Sequence, residues 1–341
     1  MKSCIKVDSV SDNSSYGYTP QMIKKAYSIR TMGNGINVKV AMIDFIGNRN
    51  IQHNLDIFSD EYGLSRTEVH YHDISTVNTQ FVFSAYIEPC VDTQWVHAIS
   101  EKAELHVYRA ASFDVSGAVN AIKSAINDKS DIVLLTFQAP FLTEYLSYID
   151  MFSGDTVFVV SSGDYGSGAY FPSCFSTCIA VGGTSLNISP SGNRLGEEKV
   201  WPGTGGGVCQ YVEIPYFQKK FKYINDLTNG KRGVPDISFL ADPNYGYSVY
   251  HSSQNGLSGW YKIGGTSVAA SVIAGIISNF ISSNRTISKK DILPMLYEIA
   301  GGTEYININN NFIDIIIGSN GKFNAQKGYD LCTGLGSFTG L

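Results

Sequence analysis

Apolar residues in this chain arrive in short blocks whose spacing alternates between the periods of strands and of helices. Residues 38–44, Val-Lys-Val-Ala-Met-Ile-Asp, read as a buried strand ending in the carboxylate of Asp44. A helix over 91–99 is followed by a strand over 104–108, and a helix over 115–126 by an apolar strand over 131–136. Residues 156–162 and 178–182 read as further strands. Thr19 is placed to cap a helix with Pro20 at its first position and Met22, Ile23, Ala26 and Tyr27 as its apolar residues. Strands alternating with helices predict an α/β fold, a mostly parallel central sheet with helices on both faces. In such sheets ligands gather at the carboxyl ends of the strands. Residues 1–17 are polar and turn-rich, and from 195 to 255 no period persists, so both read as loop. No internal repeat or low-complexity segment is present.

The longest apolar run, 268–281, is broken by Ser271, Ser278 and Asn279 and falls short of the roughly 20 residues needed to span a bilayer. It reads as a buried helix, and no membrane span is expected. The first residues, Met1-Lys2-Ser3-Cys4-Ile5-Lys6-Val7-Asp8, contain no apolar core of a signal peptide. With 43% hydrophobic residues over 341 positions the chain can bury a large core. The net charge of −5 offers no basic face, so nucleic acid is not an expected partner. Only 16% of residues are charged, against about 25% in typical soluble domains, which limits self-repulsion once carboxylates protonate and permits life in acid. The six cysteines are too few for a disulfide scaffold at this length, and they are expected to be largely free thiols.

Three blocks carry chemistry. Ile263-Gly264-Gly265-Thr266-Ser267 enters the apolar helix, placing a hydroxyl at a glycine turn where backbone and substrate can approach closely and the positive helix end faces the reacting centre. A serine nucleophile needs a base, and none of His53, His70, His72, His97, His106 and His251 stands in a suggestive context. Carboxylates offer more. Glu88 and Asp92 lie four apart, on one face of a helix begun by Pro89, and as neighbours they can share a proton, so Glu88 can act as base at acid pH. Asp164, in Ser162-Gly163-Asp164, follows the strand over 156–162. Protonated, it would donate a hydrogen bond to a developing oxyanion. Gly203-Thr204-Gly205-Gly206-Gly207 lacks the lysine of a phosphate-binding loop and reads as a substrate-facing turn.

Glu88-x-x-x-Asp92 with Trp95, Ser162-Gly163-Asp164 and Gly264-Gly265-Thr266-Ser267 resemble, in order and separation, the catalytic blocks of the sedolisin family of serine-carboxyl peptidases. Tyr18-Thr19-Pro20, Val181-Gly182-Gly183-Thr184, Pro235-Asp236-Ile237-Ser238 and Gly328-Tyr329-Asp330 extend the likeness over nearly the whole chain from Tyr18. The resemblance implies a subtilisin-like fold, a single peptidase domain over 18–341, and acyl transfer to Ser267. It makes Glu88 the base, Asp92 its partner and Asp164 the oxyanion acid. It implies polypeptide substrates, endopeptidase or tripeptidyl-peptidase action, a monomer, a prodomain during maturation, and an extracellular or acidic setting. It further implies one structural Ca²⁺ in a segment at about 312–337, held by the carboxylates of Asp314 and Asp330 and the carbonyls of Ile315, Gln326 and Gly328, hard oxygen donors of the kind calcium takes. Gln326 stands where the family usually has glycine. The family's Ser-Trp-Gly on the substrate-binding edge is here Thr136-Phe137-Gln138, which leaves pocket specificity open. Two rival readings remain: a histidine-dependent subtilisin-type site using Asp44, and a catalytically inactive relative that binds peptides or proteins.

Overall fold

The computed structural model describes all residues except 5, 9–15, 30–32, 46–47, 49, 75–82, 253–257, 302–310 and 341. Its centre is a ten-stranded sheet. From one edge the order is Phe312–Ile313, Ser337–Phe338, Ile237–Leu240, Cys178–Ile188, Val157–Ser161, Ile132–Leu135, Lys39–Asp44, Glu104–Arg109 and Val69–Asp73, with Arg194–Val200 folded back antiparallel on Cys178–Ile188. The inner pairings are parallel, as the alternation of strand and helix predicts.

Successive side chains of these strands point to opposite faces, and both faces are apolar. Val40, Met42, Leu105, Val107, Ile132, Leu134, Val157 and Val159 enter one core, shared with the helices Phe83–Ile99 and Thr266–Ser283. Ala41, Ile43, Val133, Leu135, Phe158 and Val160 enter the other, under the helix Val115–Asn127, whose start is capped by Asp114 accepting from the Gly117 amide at 2.7 Å. By length and composition Thr266–Ser283 could cross a membrane, but 89% of it is buried inside the fold, so its apolarity is that of a core helix.

The helix Pro20–Ala26 starts as expected, with Thr19 Oγ1 accepting from the Met22 amide. Two expectations need correction. The helix bearing Glu88 and Asp92 begins at Phe83, not at Pro89, so Pro89 lies inside it. The missing N–H of Pro89 costs one backbone hydrogen bond, and tertiary burial of Ile87, Glu88, Cys90 and Val91 outweighs that loss. The segment 195–255 is also more ordered than its lack of period implies. It holds the strands Arg194–Val200, Gly207–Glu213, Lys231–Val234, Ile237–Leu240 and Tyr247–His251. These are mostly short strands whose burial follows their own neighbours, so no long alternation survives.

All six cysteines are buried and free. The glycine turn at 203–207 backs the Asp164 loop, with Gly205 N donating to Gly163 O at 2.7 Å and Ser162 Oγ to Gly205 O at 2.8 Å. Of residues 1–17, only 1–4, 6–8 and 16–17 are described, and where a loop was expected they hold two short strands. Lys2–Ser3 pairs antiparallel with Phe137–Pro140, and Lys6–Asp8 with Gly259–Gly264.

Candidate active site

Ser267 stands at the second position of the helix Thr266–Ser283. Gly265 precedes that helix with φ of 115°, a left-handed conformation that a side chain would strain, and this turn delivers the serine into the cleft. The Ser267 hydroxyl donates to Thr136 O at 3.1 Å, and its backbone amide donates to Cys4 O at 3.0 Å. It hydrogen-bonds to no histidine. His97 shares a 2.6 Å hydrogen bond with Ser65 O, and His72 and His106 share one of 2.9 Å on neighbouring sheet strands. Asp44, the carboxylate of the rival reading, lies 3.9 Å from Arg109 Nε.

The sheet and the two packed helices bring all four predicted residues together. Glu88 and Asp92 share one face of the helix Phe83–Ile99, and both are buried. Glu88 Oε2 accepts from Ser3 Oγ, while its Oε1 is buried with no hydrogen-bond partner among the described residues. Asp92 Oδ1 accepts from Ser271 Oγ at 2.8 Å and Oδ2 from Thr136 Oγ1 at 2.9 Å. Burial first, then the Asp92 charge, raises Glu88 well above the usual carboxylate range, with the nearby Ser267 hydroxyl working the other way. Burial pushes Asp92 up to about 7 against the hydrogen bonds from Ser271 and Thr136. Two carboxyls so placed titrate as a unit and retain a shared proton in acid.

Asp164 approaches from the loop after the strand Val157–Ser161. Its Oδ1 accepts from the Thr266 amide at 2.9 Å and the Thr266 hydroxyl at 2.7 Å, and its Oδ2 is buried without a partner among the described residues. Burial pushes this carboxyl up to about 6, opposed by the Thr266 hydrogen bonds and the Lys6 charge. Below that pH Oδ2 carries a proton and becomes a second donor to complement the Ser267 amide. The arrangement supplies a nucleophile, a proton-sharing carboxyl pair with one oxygen open, and two donors for an oxyanion.

Sequence reasoning missed the residues that hold these groups: Thr136, Ser271, Thr266 and the N-terminal strand. Ser271 was accessible, since it lies one turn beyond Ser267 on the same helix face. The metal candidates also come together. Asp314 Oδ2 accepts from Gly328 N at 3.0 Å, and Asp330 accepts from the amides of Gln326, Cys332 and Thr333. Among the described residues no group of three or more His, Cys, Asp or Glu side chains is assembled for a metal.

The subtilase family matches residues 84–312, a span that contains all four residues. The chain belongs to the subtilase family, in its sedolisin branch. It is 29% identical to kumamolisin of Bacillus sp. (strain MN-32) over 74% of this chain and 49% of the relative. It is also 29% identical to tripeptidyl-peptidase 1 of Dictyostelium discoideum over 73% of this chain and 40% of the relative. The chain thus spans about half or less of the length of these relatives. Among solved structures it is similar to Pseudomonas sedolisin, a serine-carboxyl proteinase, complexed with two molecules of pseudo-iodotyrostatin. The TM-score is 0.81 at 23% identity, over 96% of both chains, a likeness of fold.

Proposed function

We propose that this sedolisin-branch chain is an acid-acting serine-carboxyl peptidase that hydrolyses polypeptides through an acyl-enzyme on Ser267. The observation that carries the reading is the carbonyl oxygen of Cys4 resting on the Ser267 amide at 3.0 Å, at the end of an extended strand that pairs with Phe137–Pro140. A peptide backbone already lies in register beside the nucleophile, which is what a peptidase cleft must accommodate.

In this mechanism the Ser267 hydroxyl turns from Thr136 O to the open Oε1 of Glu88, which takes its proton as the oxygen attacks the carbonyl carbon. Asp92, held by Ser271 and Thr136, orients Glu88 and shares the pair's remaining proton. The oxyanion is bound by the Ser267 amide and the protonated Oδ2 of Asp164. Glu88 then returns its proton to the leaving amine, and water resolves the ester by the same route. Because Asp164 must be protonated, the working setting is acidic, in a compartment or outside the cell. Whether the enzyme acts internally or on tripeptide ends, whether it works as a monomer and whether a prodomain assists its maturation belong to the same proposal.

The segment 312–337 fits a calcium ion. Asp314 Oδ1 is buried with no partner among the described residues, burial raises Asp314 and pushes Asp330 up to about 7, and a divalent cation would relieve both. The carboxylates of Asp314 and Asp330 with the carbonyls of Ile315, Gln326 and Gly328 would hold it, and its contribution would be structural.

The deciding experiment is hydrolysis of an unfolded protein from about pH 2 to about pH 8 by the wild type and by Ser267→Ala. Activity confined to acid and lost in the variant supports the reading. Activity peaking near neutrality would return a histidine-dependent site, and none at any pH would leave a peptide-binding role.

A further inference from the structure

Two lysines on either side of the nucleophile meet on one aromatic ring. Lys2 is opposite Gln138 and Ser3 opposite Phe137, and the Cys4 amide donates to Thr136 O at 3.2 Å. Lys6 is opposite Gly264, on the strand that leads to Ser267. The Cys4 carbonyl oxygen accepts from the Ser267 amide, so Cys4 stands where the residue attacked by Ser267 would stand in a substrate. Its buried thiol donates to Gln138 Oε1 at 3.3 Å and fills a small polar recess. Lys2 precedes that residue by two positions and Lys6 follows it by two. Their side chains converge, each ammonium lying 4.2 Å from the centre of the Tyr165 ring. Tyr165 directly follows Asp164 and is half exposed. Its loop is fixed on both sides, with Asp164 N donating to Gln138 Oε1 at 3.1 Å, Gly166 N to Gly203 O at 2.9 Å and Ser167 N to Asn320 O at 2.9 Å. Backbone that is already held thus presents the ring to the cleft.

An aromatic face attracts a cation at such a distance through its quadrupole, and that attraction does not titrate. A carboxylate could select the same residues only while ionised. Asp164, the acid beside the ring, feels the Lys6 charge, but burial pushes it up to about 6, so in acid it is neutral and offers Lys6 no ion pair. The Tyr165 hydroxyl, which burial raises above its ordinary value, is neutral over the same range, and the ring keeps its hold. We propose that Tyr165 is a specificity residue: it selects polypeptides that carry a lysine or arginine two positions before, and two positions after, the residue whose carbonyl is attacked. This selectivity rests on the peptidase reading above. It makes basic stretches of chain the preferred substrates, and it survives at a pH where selection by a carboxylate would fail. Because one ring serves both positions, a single substitution removes both preferences.

The test uses the full chain at about pH 4 and a peptide series with alanine at the attacked residue and Lys, Arg, Gln or Met at each flanking position. In the wild type, kcat/KM for Lys or Arg should exceed that for Gln or Met by at least about threefold at each position. Tyr165→Phe keeps the ring and should keep that ratio. Tyr165→Leu keeps apolar bulk without the ring and should bring the ratio to about one at both positions. Competition from the chain's own lysine-bearing strands weakens every peptide alike and leaves the ratios unchanged. Affinities of the same peptides for Ser267→Ala, followed by fluorescence anisotropy, give the ratios without hydrolysis. Equal values for Lys and Gln peptides in the wild type, a preference that survives in Tyr165→Leu, or one lost in Tyr165→Phe overturns the proposal and leaves the peptidase reading standing. If no peptide is cut at any pH the peptidase reading falls, and the affinities decide for the ring alone. A Lys-over-Gln ratio in Ser267→Ala that Tyr165→Leu abolishes upholds it, and equal affinities overturn it.

Discussion

Thr266 holds one oxygen of Asp164 with two hydrogen bonds, at 2.9 and 2.7 Å, and leaves the other buried with no partner among the described residues. A carboxyl in that position is stable when protonated and costly when ionised. Its folded pKa, about 6, is raised above the unfolded value. Its contribution to stability is therefore complete below the ordinary carboxylate range and is lost as pH rises through about 6. Asp164→Asn carries an amide donor at the same place and does not titrate. Thermal melts should show the variant gaining on the wild type between about pH 4 and about pH 7, by roughly 3 kcal/mol. In hydrolysis assays the wild type should lose activity as pH rises through about 6, and the variant should lack that limb. Parallel pH profiles for both proteins would remove Asp164 from the oxyanion site.

The open oxygen of Glu88 and the tethered carboxylate of Asp92 assign them different kinetic weights. Ser267→Ala and Glu88→Gln should each lower kcat at least about a thousandfold with a small change in KM, since each removes a group that reacts. Asp92→Asn keeps an acceptor for one of Ser271 and Thr136 but removes the shared proton. Its kcat should fall by about ten- to a hundredfold and its pH optimum should move. A Glu88→Gln enzyme with unaltered kcat would place the base elsewhere.

Gln138 occupies the edge position that is glycine in the family pattern, and its Oε1 accepts from both the Cys4 thiol and the Asp164 amide. A Cβ on Gly163, whose φ is 116°, would stand 2.2 Å from that same oxygen, so the recess is closed on this side by a side chain rather than by backbone. Wild-type enzyme should prefer small residues on the acyl side of the scissile bond. Gln138→Gly should raise kcat/KM for Phe or Leu relative to Ala or Cys at that position by about tenfold or more. An unchanged ratio across a peptide series would mean that another residue sets the size of the recess.

Calcium binding at Asp314 and Asp330 would act on stability rather than on the reacting groups. A chelator should lower Tm by several degrees, with calcium at a hundred times its Kd contributing about 2.7 kcal/mol. Asp314→Asn should melt like the chelated wild type and be insensitive to chelator. Equal melting curves with and without chelator, and no metal in the purified protein, would dismiss the ion.

The chemical groups were legible where spacing alone determines geometry. Glu88 and Asp92 share a helix face because they are four apart, and Ser267 follows a glycine that only a turn explains. Asp164 was legible from its place just beyond a buried strand. What stayed hidden is what distant partners decide. Nothing in Pro235-Asp236-Ile237-Ser238 reveals that Asp236 is fully buried with Arg232, at 2.6 Å for both oxygens, and with the Tyr297 hydroxyl at 2.7 Å. Removing one member of such a pair leaves an uncompensated buried charge, which gives this segment a structural duty in holding the strands behind the site. The strands at 2–3 and 6–8 are too short to carry any period. They exist because Phe137–Pro140 and Gly259–Gly264 each had an edge to offer them.

Those two edges have a cost of their own. Without Lys2–Ser3 and Lys6–Asp8, the edges of Phe137–Pro140 and Gly259–Gly264 would carry unpaired amides and carbonyls, a template that takes up any extended chain, including that of a neighbouring molecule. The two short strands Lys2–Ser3 and Lys6–Asp8 thus do for these edges what charge or a covering loop does elsewhere: they keep the folded protein from pairing with its neighbours.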